Sequence, residues 1–220
     1  MTDDTIQFSQ TDRDSIYKII AARRDMRHFI KDRHVEPNVL LRLLTAAHQA
    51  PSVGLMQPWR FIHIQDGNLR ESIARLVDTE RKLTSEALDT RKEEFLRLKV
   101  EGIRDCAELF AVVQAPDDGT VLGRRTLPSE MALCSTACAI QNLWLAARAE
   151  NLGLGWVSFF DPGTLAQLLH CPSDALPIAL LCLGPVESFY TRPMLEQEHW
   201  RQGKPLTTML FKNHWPDGHD

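Results

Sequence analysis

The sequence lacks the short motifs that mark the commonest nucleotide and metal sites. It contains no GxGxxG and no GxxxxGK[ST] stretch, so neither a Rossmann nor a P-loop nucleotide site is predicted. Its eight histidines form no HExxH or HxH pair, which argues against a bound metal. No GxSxG motif surrounds Ser158, so a hydrolase nucleophile is not predicted there.

Cysteine is present in a pattern that predicts no cross-link. The five cysteines are odd in number and include no CxxC pair, so we expect neither a disulfide framework nor a zinc site. Cys134 and Cys138 lie four residues apart in a predicted helix, and we expect both thiols to be buried.

Long apolar runs and a strong basic charge are also missing. No uninterrupted stretch of about 20 apolar residues occurs, so no membrane span is predicted. The formal net charge of -4 provides no basic field that would attract nucleic acid. Residues 1–14 are acidic and polar, unlike a secretory signal. We therefore expect a cytoplasmic protein with neither membrane nor nucleic-acid partners.

The patterns that are present predict a single α+β domain over residues 1–220. An apolar fraction of 44% in a chain of this length is enough for one sizeable core. Helical periodicity predicts helices over residues 12–23, 36–50, 68–105, 128–150 and 162–170. Short apolar runs predict strands over residues 60–64, 109–115, 155–160 and 176–186. The last run is continuously apolar, which is typical of a central strand.

Two segments differ from an ordinary core pattern. Residues 68–105, here called the flap, carry charges of alternating sign, which indicates a solvated face. Their apolar set is thin and comprises Leu83, Leu88, Phe95, Leu98 and Ile103. We expect the flap to be mobile or covered by a partner. Residues 185–220, the C-terminal arm, are rich in aromatics without periodicity, and we expect the arm to wrap over a second subunit.

The stretch RRDMR, the arginine motif, places three positive charges around one negative charge. Guanidinium groups bind phosphate through paired charge-assisted hydrogen bonds, so Arg23, Arg24 and Arg27 are candidates for an anion site. Asp25 lies among them. The alternative is a solvated basic turn or a set of intramolecular ion pairs.

Two further stretches carry polar side chains where a ligand could bind. In PSVGLMQPW, Ser52 and Gln57 can donate and accept hydrogen bonds, and Gly54 lets backbone approach a flat ligand. A plain helix-to-strand connection is the alternative. Ser158 falls in a predicted apolar strand, where its hydroxyl either contacts a ligand or bonds a neighbouring carbonyl.

These stretches occur in an order that resembles the flavin-dependent nitroreductase superfamily over roughly residues 12–205. The resemblance is carried by RRDMRHF, LLRLLTAAHQAPSVGLMQPWRFIHI and ACAIQNLWLAARAENLGLGWVSF. The superfamily motif is usually RRSxRxF, and this sequence departs from it at Asp25. With Ser158 in GWVSFFDP and the segment LKVEGIRD, the chain resembles the flavin-fragmenting branch, the 5,6-dimethylbenzimidazole synthases.

The resemblance implies a nitroreductase-like fold, with a central mixed, mainly antiparallel sheet flanked by helices. It implies a homodimer with flavin sites at the subunit interface and the C-terminal arm packed on the partner. Members of the branch consume reduced FMN and dioxygen, with a separate flavin reductase supplying the reduced FMN. Their products are erythrose 4-phosphate and 5,6-dimethylbenzimidazole, the lower ligand of vitamin B12.

The resemblance also implies roles for individual residues. Asp25 and Ser158 would be catalytic, with Asp25 as a general acid or base whose charged form the nearby arginines favour. Ser158 would hydrogen-bond either the N5 region of the flavin or the peroxide that forms from dioxygen. The cofactor-binding set would be Arg23, Arg24, Asp25, Met26, Arg27, Ser52, Gln57, Leu98, Ser158 and Arg201. Within it the arginine motif and Arg201 hold the phosphate side, and Leu98 belongs to the flap over the ring.

Three other functions fit the same motifs. Two are reductases of this fold, acting with NAD(P)H on nitro compounds and quinones, or on the corrinoid cobyrinic acid a,c-diamide. An enzyme that uses NAD(P)H needs an open face over the flavin, and a covering flap with Asp25 argues against it. The third is a non-catalytic FMN carrier, which has no evident use for Asp25.

Overall fold

A four-stranded antiparallel sheet lies at the centre of the part of the chain that the structure describes, residues 7–216 of a computed structural model. The first six residues of the polar N-terminal segment and the last four of the C-terminal arm lie outside the described residues. The strand order is β1-β2-β4-β3. The strands are β1 Trp59–His63, β2 Glu108–Gln114, β3 Gly153–Val157 and β4 Leu176–Gly184.

The prediction of a central strand near the end of the core is confirmed by β4. This strand pairs antiparallel with β2 on one side and with β3 on the other. Its residues from Ala179 to Leu183 are all fully buried, because helices cover both faces of the sheet. The sequence pattern of β4 is therefore a continuous apolar run rather than an alternation.

Helices account for most of the remaining regular structure. They are α1 Gln10–Ala22, α2 Pro37–His48, α3 Gly67–Ala87, α4 Lys92–Arg97, α5 Pro128–Ala149, α6 Pro162–Leu168 and α7 Met194–Gln197. Short 3-10 turns occur at Val53–Leu55, Asp89–Arg91 and Leu206–Thr208. Within residues 7–216, no helix has the length and apolar character that crossing a membrane requires.

The sheet separates two core layers because neighbouring residues of a strand point to opposite faces. One layer contains Leu109, Ala111, Leu180 and Cys182. The other contains Phe110, Val112, Leu181 and Leu183. Helices α3 and α6 pack on the first layer together with Met26, whereas α2 and α5 pack on the second. The arginine motif therefore continues into the layer that also holds the flap.

The flap differs from its prediction in two ways. It is helical only as far as Arg97, and residues 98–105 are not helical. It is also partly core, because Ile73, Val77 and Ile103 are fully buried. The many charged residues of the flap suggested a solvated segment. However, α3 buries one face in the core, and its charged residues lie outside that buried face.

The prediction that Cys134 and Cys138 are buried is wrong. Both are exposed on α5. The buried face of α5 is formed by Ala132, Ser135, Thr136, Ala139, Ile140, Leu143 and Ala147. These residues recur at spacings of three and four, so positions 134 and 138 fall outside the stripe that faces the sheet.

The first part of the C-terminal arm folds back on its own chain. Arg24 donates a hydrogen bond to the Thr191 carbonyl at 3.0 Å, and the Arg148 guanidinium lies 3.9 Å from the ring centre of Phe189. Further along, Leu206 and Leu210 are exposed, at 76% and 71%. Packing of the arm on a second subunit stays a prediction.

We predict that Gly155→Ala destabilises the fold by about 1–3 kcal/mol, the usual cost of overpacking. A Cβ at Gly155 would lie 2.2 Å from the Met26 carbonyl oxygen and 2.5 Å from Nη1 of Arg27. Urea unfolding measures the change. Gly67→Ala is the matched control, because beyond its chain neighbours and its own helix backbone no heavy atom of the described residues lies within 4 Å of that Cβ position. Equal midpoints for the two variants would contradict the prediction.

Candidate functional site

The arginine motif leaves α1 and runs along the outer edge of β3. Arg23 ends the helix in an extended conformation, and Asp25 then forms an isolated parallel bridge with Leu154. The Met26 N–H donates to the Leu154 carbonyl at 3.0 Å. The motif is therefore fixed to an edge strand by backbone hydrogen bonds, and its side chains are placed by the sheet.

Asp25 accepts two hydrogen bonds in a small closed network with Arg27 and the Trp156 backbone. Its Oδ1 accepts the backbone N–H of Trp156 at 3.0 Å, and its Oδ2 accepts Nη2 of Arg27 at 2.6 Å. The same nitrogen donates to the Trp156 carbonyl at 2.7 Å. Gly155 makes this arrangement possible, because any side chain there would occupy the space of the Arg27 guanidinium. The carboxylate is consequently oriented by groups that do not move independently.

Burial raises the pKa of Asp25, although the positive charge of Arg27 and the Trp156 N–H oppose the rise. The side chain remains 42% exposed, but the protein around it is dense enough for loss of solvation to dominate. The arginines favour the charged form, as expected, but burial outweighs them and sets the direction of the shift. A carboxyl group with a raised pKa is better suited to exchange protons near neutral pH.

The three arginines of the motif are all engaged by the protein itself. The Arg23 guanidinium lies 4.7 Å from the ring centre of Trp144. Arg24 donates to backbone carbonyls, and Arg27 is only 6% exposed. Nε of Arg24 and both Nε and Nη1 of Arg27 are nevertheless buried without a hydrogen-bond partner in residues 7–216. Such unsatisfied cationic donors fit the oxygens of an anionic ligand at this edge.

A pocket of about 290 Å³ opens beside this network. Its charged lining residues are Asp25 and Arg27, and Thr84 is a further polar one. Its apolar wall comes from the flap, from the chain after β3 and from the arm, and includes Leu88, Phe95, Leu98, Val100, Phe159, Met194, Leu195 and Trp200. The structure thus brings Asp25, Arg27 and Leu98 of the predicted site together in one cavity.

The flap and the C-terminal arm meet over this pocket. The Arg91 guanidinium lies 3.5 Å from the ring centre of Trp200 and donates to the Trp200 carbonyl at 3.0 Å. Glu94 holds the same guanidinium through two hydrogen bonds of 2.8 Å. The Phe95 ring packs between Trp200 and Phe159, with centroid distances of 6.1 and 5.8 Å. The contact makes the flap and arm one continuous cover.

Three other predicted residues do not line this pocket. Ser158 follows β3 rather than lying within it, is exposed, and is adjacent to the pocket residue Phe159. The side chain of Met26 is fully buried in the core, so it does not face a ligand. Arg201 is exposed and follows Trp200 in the arm.

Ser52 and Gln57 lie at the opposite edge of the sheet. Their loop precedes β1, and Gln57 lines a separate pocket of about 410 Å³ with His48 and Trp59. Because β2 and β4 separate β1 from β3, the two edges are roughly 14 Å apart. Within one chain the structure does not bring these two residues to the Asp25 pocket.

Sequence reasoning missed Arg91 and Trp200 as residues around the site. A charged flap and an aromatic arm were both visible in the sequence. No local pattern shows that two positions 109 residues apart touch. The Trp156 backbone N–H was missed for a different reason, since a main-chain donor leaves no mark in the residue type.

Comparison with known proteins identifies what the chain resembles. The model of the nitroreductase family matches residues 20–185. The chain is 39% identical over 204 residues to the 5,6-dimethylbenzimidazole synthase of Rhodospirillum rubrum, covering 90% of this chain and 94% of that protein. It is 37% identical to a protein of the same name from Rhodobacter capsulatus, with 91% and 97% covered.

Solved structures share the fold at low sequence identity. Nitroreductase A from Vibrio parahaemolyticus superposes with a TM-score of 0.70 and 16% identity, covering 93% of this chain and 78% of that one. An iodotyrosine deiodinase bound to FMN and 3-iodo-L-tyrosine gives a TM-score of 0.65 at 22% identity, covering 80% and 94%. The predicted α+β, nitroreductase-like architecture is thereby confirmed.

We predict that Asp25 titrates above about 3.9, the ordinary aspartate pKa. Folding raises the pKa, so the protonated form contributes stability that is lost as pH rises through the folded pKa. Carbon-13 NMR of the side-chain carboxyl measures the midpoint. Asp161 is an internal control, because hydrogen bonds from Thr164 lower the pKa of its carboxyl. An Asp25 midpoint at or below that of Asp161 would show that the Arg27 pair outweighs burial.

Proposed function

The chain belongs to the nitroreductase family, and we propose that it is an oxidoreductase that makes 5,6-dimethylbenzimidazole from reduced FMN and dioxygen, with erythrose 4-phosphate as the other product. The near-full-length similarity to three relatives named 5,6-dimethylbenzimidazole synthase carries the proposal. The placement of Asp25 at a covered apolar pocket supports it from the structure.

Reduced FMN supplies the electrons for dioxygen and, in this reaction, the carbon atoms of the product. The residues fit such a ligand, because the unpartnered nitrogens of Arg24 and Arg27 suit its anionic and carbonyl oxygens. The apolar wall formed by Leu98, Phe159 and Trp200 suits a flat aromatic ring. Arg23 and Arg201 would add positive charge for the phosphate of this ligand.

Asp25 would accept and return protons in the reaction. Its raised pKa lowers the cost of protonating it near neutral pH, and the bonds from Arg27 and Trp156 keep its carboxylate in one orientation. Ser158, next to the pocket residue Phe159, would supply a second polar group. A serine in the position of Asp25 could donate a hydrogen bond but could not act as a base of comparable strength.

The cover formed by the flap and the arm would exclude water from the reacting ligand. Arg91 and Trp200 join the two segments, and Phe95 fills the space beneath them. Exclusion of water strengthens the interaction between Asp25 and any group inside the pocket and suppresses side reactions.

We propose a homodimer in which each flavin site is completed by two subunits. Ser52 and Gln57 lie at the opposite sheet edge from Asp25, so a second chain is the simplest source of their contacts to the same ligand. The exposed end of the arm, including Leu206 and Leu210, would pack on that second chain. A separate cytoplasmic flavin reductase would deliver reduced FMN.

One assay tests the reaction. Incubation of the protein with chemically reduced FMN in air, without NAD(P)H, is expected to yield 5,6-dimethylbenzimidazole on chromatography. Absence of the product, together with NAD(P)H oxidation when a quinone or a corrinoid is added, would identify a reductase instead. Flavin binding without any turnover would identify a carrier.

We predict that Asp25→Asn retains FMN binding within about threefold and lowers product formation by about 10²–10⁴, the usual range for loss of a general acid or base. The amide keeps an oxygen for the Trp156 N–H but cannot carry the proton. Fluorescence titration measures binding and chromatography measures product. Asp32→Asn, at an exposed aspartate, is the control and should be unchanged. Native turnover by Asp25→Asn would reduce Asp25 to a structural partner of Arg27.

Ser158→Ala addresses the second catalytic residue separately. Loss of the hydroxyl should lower turnover while leaving the unfolding midpoint unchanged, because the side chain is exposed and lies outside β3. Unchanged turnover, measured by the same chromatography, would remove Ser158 from the proposed site.

A further inference from the structure

The loop at residues 51–58 has an unusual backbone. Gly54, Leu55 and Gln57 all adopt positive φ, at 58°, 56° and 43°. Across residues 7–216, the six other non-glycine residues with positive φ each occur singly, apart from one another. A leucine rarely adopts this conformation because its Cβ approaches the following carbonyl. Such a geometry persists only where the surrounding structure imposes it.

Two hydrogen bonds fix the two ends of this loop. The Gln57 N–H donates to Oγ of Ser52 at 3.1 Å, and the Val53 N–H donates to Oγ of Ser135 at 3.2 Å. Ser135 is 3% exposed within α5. These bonds hold the loop at its base and at Gln57, but they do not involve Gly54 or Leu55 at its tip.

A second loop, residues 117–124, packs against that tip. A Cβ at Gly54 would lie 2.5 Å from Cγ2 of Thr120 and 3.1 Å from the Leu122 carbonyl oxygen. A Cβ at Gly123 would lie 2.9 Å from Cγ1 of Val53. The two loops therefore interlock through two glycines, and the position of one determines the position of the other.

Arg124 organises the second loop from inside. It is 4% exposed and donates from Nε to the Thr120 carbonyl, from Nη2 to the Asp117 carboxylate and from Nη1 to the Pro128 carbonyl. A buried guanidinium is tolerated only when several acceptors surround it. These acceptors lie before the loop tip, at the tip and at the start of α5, so one side chain joins all three.

We infer that Arg124 is a positioning residue for the flavin site. It fixes residues 117–124, which press on Gly54 and hold Ser52 and Gln57 in the conformation that binds the ligand. The inference rests on the proposed function in one respect, namely that Ser52 and Gln57 contact FMN. Arg124 itself touches no ligand, because its side chain is enclosed by the loop and by Pro128.

We call the Arg124 contacts with Thr120, Asp117 and Pro128 the brace. Losing the brace should lower the affinity for FMN and leave the rate of the chemical step unchanged. A loop freed from Arg124 relaxes toward ordinary negative φ values, and the binding-competent conformation becomes a minor fraction. The apparent dissociation constant then rises by the inverse of that fraction. Asp25 and Arg27 lie at the opposite sheet edge, so turnover of bound substrate is unaffected.

The test is Arg124→Gln in the full chain, with Arg125→Gln as the matched control. The two variants remove the same charge from neighbouring positions, one buried and one exposed. Arg124→Gln should speed amide hydrogen exchange at residues 52–57 in flavin-free protein, and raise both the Kd for FMN and the KM for reduced FMN about tenfold or more. Its kcat should stay within about twofold of the native value. Arg125→Gln should change none of these quantities.

Native loop exchange and native affinity in folded Arg124→Gln would overturn the inference, as would a fall in kcat without a rise in KM. If Arg124→Gln does not fold, Asp117→Asn decides, because the Asp117 carboxylate is 60% exposed and its loss only weakens the cage. Asp117→Asn should also speed amide exchange at residues 52–57 and raise the Kd for FMN. Unchanged exchange in this variant would overturn the inference.

The exchange experiment contains no flavin, so its outcome is separate from the proposed reaction. If exchange is faster in Arg124→Gln but the native chain makes no dimethylbenzimidazole, the positioning role of Arg124 is supported and the proposed function is wrong. Unchanged exchange in a chain that makes the product would do the reverse.

Discussion

The pairing of Asp25 with Arg27 against the backbone of Trp156 is the interaction on which the site depends. It joins the end of α1 to the edge of β3, and it requires Gly155 because a side chain there would displace the guanidinium. The cost of enclosing these charges appears in the raised pKa of Asp25 and in the unpartnered nitrogens of Arg27. A carboxyl group with a shifted pKa beside unpartnered guanidinium nitrogens, at a pocket, is typical of a ligand-binding or catalytic site.

The rest of the molecule surrounds this pair. One layer of the core holds α3, so the flap begins as core structure and only then extends over the pocket. The arm returns to the same place and is joined to the flap by Arg91 and Trp200. At the far edge of the sheet, a strained loop is braced by Arg124. In the proposed homodimer, these two edges would supply the two halves of one flavin site.

Sequence patterns predicted the parts of the fold that depend on local chemistry. The apolar run of β4, the helical periodicity of α2 and α5 and the glycines and prolines between them gave the elements within a few residues. The exposure of Cys134 and the burial of Ile73 were missed, because which face of a helix is covered depends on neighbours distant in sequence. For Asp25, the sequence pattern identified the arginines that favour the charged form but not the burial that raises the pKa, since charges can be read from a sequence and burial cannot.

A crystal structure of the protein with bound FMN tests the central claim most directly. The account predicts one flavin between two subunits, with the Asp25 carboxylate of one chain at about 2.6–3.2 Å from a polar atom of the ligand. Ser52 and Gln57 of the other chain would contact the same flavin. A flavin bound by Ser52 and Gln57 with Asp25 still facing only Arg27 and Trp156, away from the ligand, would contradict it.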